Sequence, residues 1–76
     1  MIPQVFTQRN NILEYMITNG SITPLEALEK FGCFRLGARI FELRMAGYII
    51  DTEKERKYGK RYARYVLKEI PNGQRY

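Results

Sequence analysis

The chain of 76 residues has no histidine, no tryptophan and a single cysteine, Cys33. Without histidine or a second thiol, the commonest metal ligands and proton shuttles are missing. The acids are scattered with no metal-ligand spacing, and no glycine-rich phosphate loop occurs. These absences point away from an enzyme and toward a chain with no cofactor and no metal. A lone cysteine closes no internal disulfide, so packing alone must hold the fold, as suits a reducing compartment. Cys33 reads as a small packed residue and not as a redox sensor. No apolar run approaches the roughly 18 residues of a membrane span. The start, "MIPQVFTQRNN", lacks the basic-then-apolar layout of a signal peptide. The expectation is a cytoplasmic protein with no membrane partner.

What is present is an ordinary apolar fraction, 45%, and a net charge of +5. The length fits one domain spanning 1–76, with a core over about 7–67 and a loose tail at 71–76. A domain of this size buries only about 60% of its unfolded surface, so its core is thin. The charge is segregated. Residues 1–32 hold two Lys or Arg against three acids, a balance of −1, and residues 33–76 hold eleven against five, a balance of +6. Solubility does not require such segregation. It points to a polyanionic partner, nucleic acid first and an anionic membrane surface second.

"FTQRNNILEYMITNG" reads as a first helix, with Thr7 as cap, Phe6 stapling the start, and Ile12, Leu13, Met16 and Ile17 on one face. Gly20 ends it, and "SIT" leaves room for a brief strand. In "TPLE", Thr23 caps a second helix, Pro24 takes its first position and Glu26 completes a capping box. That helix runs to about Lys30, with Leu25, Leu28 and Ala27 read as inward. After a turn of about three residues, "FRLGARIFELRMAG" reads as a third helix beginning at Phe34. Its stripe is Leu36, Ile40 and Leu43, and Gly47 closes it. Gly37 inside it hints at a close neighbour. "YIIDTE" and "YARYVLKEI" read as antiparallel strands flanking a long basic tip, and "PNGQRY" as a turn and tail.

This order, with three helices, a short strand and a terminal hairpin, makes an α+β fold. "ITPLEALEKFGCFRLGARIFELRMAGYIIDT" resembles the small winged helix-turn-helix domains of bacterial and phage proteins. The resemblance covers about residues 7–67. It implies a third helix that enters the major groove of double-stranded DNA, beside a hairpin wing on the phosphate backbone, and a role in transcription control or excision-type DNA architecture.

On the third helix, Arg35 and Arg39 read as neighbours on an exposed flank, able to grip guanine O6 and N7 or a phosphate. Groove contact is the reading favoured over the alternative, in which Arg39 and Glu42 are solvated surface charge and Arg35 pairs with a carboxylate. Ala38 keeps the surface low for close approach. Glu42 can accept from cytosine N4, or hold Arg39 or Arg35 in place, and Arg44 falls on the other flank. Residues 54–64 carry six cations against Glu55. Of these, Arg56, Lys57, Lys60, Arg61 and Arg64 are expected at phosphates, with Tyr58 against a sugar or phosphate. Phosphate contact is favoured over the alternative, a solvated charged edge that resists aggregation. Tyr65 reads as packing on the core. Phe34 and Phe41 fit the interior poorly: they either cover the wing or the first helix, or mark a homodimer or protein-partner surface. The rival to DNA is therefore a protein-interaction adaptor for an acidic partner, and structured RNA comes third.

Overall fold

The computed structural model describes the backbone of residues 4–71 and the side chains of residues 7–71. The elements are α1 (Gln4–Asn19), β1 (Ser21–Ile22), α2 (Pro24–Phe31), α3 (Leu36–Met45), β2 (Ile49–Lys57) and β3 (Lys60–Glu69). The strands form one antiparallel sheet in the order β1-β3-β2. Among the described residues no helix is long and apolar enough to cross a membrane.

Helix α1 starts earlier than the sequence implied. Thr7 lies inside it, three residues past its first residue, and is exposed. A threonine is only a local signal, and nothing from Gln4 to Phe6 breaks a helix. The proposed staple by Phe6 and the tail beyond residue 71 lie outside the described side chains. The inward face is as expected, with Ile12 and Met16 fully buried and Leu13 and Ile17 packed beside them. Gly20 turns the chain at φ 88°, which glycine adopts at little cost, and its N–H donates to the Met16 carbonyl.

The capping box forms in full. The Glu26 N–H donates to Thr23 Oγ1 at 3.2 Å, and the Thr23 N–H donates to Glu26 Oε1 at 2.9 Å. Gly32 closes α2 in the left-handed conformation. Thr23→Ala removes a cap worth about 1 kcal/mol. Calorimetry should show melting roughly 4–8 °C lower. An unchanged melting point would mean that water replaces the hydroxyl at no cost.

The rotation of α2 differs from the reading of Leu25 and Leu28 as core residues. Leu25 is 63% and Leu28 39% exposed, while Ala27 is fully buried. The capping box explains the difference. Thr23 is buried at the end of β1, which fixes the phase of the helix that follows. The inward residues are then Thr23, Ala27 and Phe31, spaced by four. Phe31 meets Tyr15 edge to face at 5.8 Å between centroids.

Helix α3 begins at Leu36, not at Phe34, with Arg35 at the cap position and no side-chain cap. Phe34 belongs to the turn and is 85% exposed. Leu36, Ile40 and Leu43 are buried as their spacing predicts, together with Cys33, Ile22, Ile50 and Leu67. Gly37 meets no tight neighbour. A Cβ there would find only the Tyr65 hydroxyl, at an ordinary 3.9 Å.

The largest correction concerns the hairpin. Its long basic tip does not exist. β2 and β3 pair out to Lys57 and Lys60, and only Tyr58 and Gly59 turn. Both are left-handed, at φ 54° and 76°, which is a type I′ turn whose twist matches that of the strands. The outer half of the hairpin extends past the core and is charged on both faces. The alternation that marks a half-buried strand is therefore missing there.

Candidate nucleic-acid interface

Pairing register sorts the basic residues by face, because residues two apart on a strand share one. Tyr65, Ala63 and Arg61 of β3 share a face with Thr52, Lys54 and Arg56 of β2. This face carries α3. The Arg44 guanidinium sits 6.0 Å from the Tyr65 ring centroid and donates to Thr52 Oγ1 at 3.0 Å. Lys54, Arg56 and Arg61 therefore continue outward on the side where α3 packs. Lys57 and Lys60 occupy the last rung on the opposite face. Among the described residues none of these five cations is paired with a carboxylate. Tyr58, at the tip, is almost wholly exposed.

Arg64 takes another part. Its Nε donates to Glu55 Oε2 at 2.9 Å and its Nη1 to Ser21 Oγ at 3.0 Å, and Glu26 Oε1 is 3.9 Å away. This arginine, expected at a phosphate, ties the wing to β1 and to the capping box of α2. The Arg64 guanidinium, and after it the Tyr62 hydroxyl, hold the Glu55 carboxyl below its ordinary 4.5. The bond to Glu55 in turn raises the pKa of Arg64 and that of the Tyr62 phenol. A carboxylate with a depressed folded pKa adds stability that is present above 4.5 and lost as pH falls through the folded value. In melting scans from neutral pH into acid, Glu55→Gln should narrow the loss of stability below pH 4.5. Parallel wild-type and variant curves would show that this link carries no acid sensitivity.

On α3, Arg39 Nη2 donates to Glu42 Oε2 at 3.0 Å, and only 13% of the Arg39 side chain is exposed. Of the options the sequence left open for Glu42, holding Arg39 is the one this geometry realises. Arg44 Nε and Nη2 both donate to the Ile50 carbonyl, which fastens α3 to β2. Arg35 stays exposed at the helix start, and Ala38 is half-buried. Phe41 and Met45 are 62% and 73% exposed on the outer side. Met45 had no part in the sequence reading, although helical spacing puts it opposite the buried stripe. The Arg64–Glu55 pair was also missed. It becomes visible only once the register is centred on Tyr58 and Gly59, which sets the two residues diagonally on one face.

Between the start of α2 and the outer half of β3 runs an open groove of about 810 Å³, whose walls include Leu25, Leu28, Phe34, Lys60 and Arg61. Among the described residues there is no group of three or more His, Cys, Asp or Glu that could hold a metal ion.

A capped α2, a short turn, an α3 with an uncovered outer face and a cationic hairpin beside it define the winged helix-turn-helix class of DNA-binding folds. The model of the winged helix-turn-helix domain family matches residues 7–70, and the chain belongs to that family. No curated protein and no solved structure matches it.

Proposed function

We propose that the chain binds double-stranded DNA, with the outer face of α3 in the major groove and the β2–β3 wing along the phosphate backbone. The observation that carries this reading is the set of cations without a carboxylate partner among the described residues, Lys54, Arg56 and Arg61, on the same side of the hairpin as α3. Phosphate binding needs free cations at a projecting edge, and a major groove about 12 Å wide admits a helix beside it. Lys57, Lys60 and Tyr58 extend the contact at the tip. The setting is bacterial or phage, the location cytoplasmic, and the role a binding module in transcription control or excision-type architecture, not a catalyst. A mobility-shift assay with random duplex, followed by selection of bound sequences, tests the reading. Absence of any shift at low salt would refute it.

Arg35 is the cation left for base or backbone contact at the helix start. Arg35→Ala should cost about 1–3 kcal/mol on a selected site and much less on random duplex. Equal losses on both would make Arg35 a phosphate clamp.

A second reading rests on Leu25 and Phe34, whose exposed side chains line the groove beside basic residues. These features suit an acidic protein partner. Unrelated duplex DNA would compete with such a partner only if the two share the wing.

A further inference from the structure

If α3 lies in a major groove, its outermost atoms decide what it reads. The buried stripe is Leu36, Ile40 and Leu43. With 3.6 residues per turn, the line opposite that stripe runs through Ala38, Phe41 and Met45. Both charged flanks of this line are already engaged. Arg39 is bound to Glu42, and the Arg39 Nε and Glu42 Oε1 are enclosed where nothing else reaches them. Arg44 spends its donors on the Ile50 carbonyl and Thr52. The crest of α3 is therefore apolar, and Arg35 alone offers a free cation at its beginning.

Guanine O6 and N7, adenine N6 and N7 and cytosine N4 are all read by hydrogen bonds, which an apolar crest cannot make. The apolar group that base pairs present in the major groove is the C5-methyl of a pyrimidine, carried by thymine in unmodified DNA. We infer that Phe41 and Met45 read thymine methyl groups, so that the preferred duplex places thymines beneath the crest of α3. This inference rests on the DNA-binding reading above. The surroundings favour DNA as the occupant of the crest. A second copy would bring two wings of unpaired cations toward one another, whereas a polyanion satisfies the wing and the crest together.

The test uses the whole chain and a duplex selected from an unmethylated random pool. Thymines of that duplex are replaced one at a time by deoxyuridine, which removes only the methyl. At one or more positions affinity should fall about fourfold, as expected for one buried methyl. Phe41→Ala or Met45→Ala should bring the thymine-to-uracil ratio at those positions close to one. Both side chains are exposed, and circular dichroism will show that the variants fold. Equal binding to thymine and uracil duplexes at every position would overturn the inference while leaving the DNA reading intact. A ratio that survives in both variants would also overturn it, because another residue would then hold the methyl. A chain that binds only after cytosines are methylated at C5 would overturn the assignment to thymine. A chain that binds no duplex would overturn both readings.

Discussion

Replacing Lys54, Arg56 and Arg61 together with alanine should flatten the dependence of log affinity on log salt by about 2.7, or about 0.9 for each lost phosphate contact. The three lie on the face of the hairpin that carries α3, and none is held by a carboxylate among the described residues. Random and selected duplexes should suffer alike, because phosphates carry no sequence information. Alanine at Lys57 and Lys60, on the opposite face, should flatten the slope less. Equal slopes per residue in the two variants would mean that the wing enters tip first and not side on. A slope unchanged in the triple variant would remove the wing from the interface altogether.

Ile40→Ala should be the most damaging single truncation in α3. Ile40 is fully buried in the apolar cluster that joins α1, α3 and the sheet. Truncations of this kind cost about 2–5 kcal/mol, the lost transfer energy plus the cavity left behind. Small domains have roughly 5–15 kcal/mol in total. At roughly 4–8 °C per kcal/mol, melting should fall on the order of tens of degrees. Leu25→Ala is the matching control. Its side chain stands in solvent, so its cost should stay within about 0.5 kcal/mol. Equal losses at Ile40 and Leu25 would show that α2 is rotated relative to the face described here.

These contrasts mark what the sequence discloses and what it hides. Thr23, Pro24 and Glu26 declare the start of α2 because a capping box is a bargain among near neighbours. Leu36, Ile40 and Leu43 declare the buried stripe of α3 because a helix has a fixed period. Leu25 misleads for the opposite reason. Which side of α2 faces inward is set by how buried Thr23 leaves β1, a matter of tertiary position. Arg39, Arg44 and Arg64 look alike as free cations in the sequence. Their partners are Glu42, the Ile50 carbonyl and Glu55, and the last two belong to β2, whose register with β3 the composition concealed. The family resemblance anticipated the three helices and the hairpin wing, but not that most arginines near α3 are engaged.

The two-residue turn at Tyr58 and Gly59 has a consequence for how such a wing can evolve. One residue inserted into β2 would slide it against β3 and carry Lys54 or Arg56 to the other face. Unless a bulge absorbs the extra residue, as the register shift at Ile49 and Ile50 does at the base of this hairpin, length can change without that reversal only through matched insertions, two residues in each strand. Each such step moves the turn outward by about 7 Å. The reach of the wing is thus quantised, and related chains should differ in this hairpin by multiples of about four residues, with a glycine kept at the second turn position.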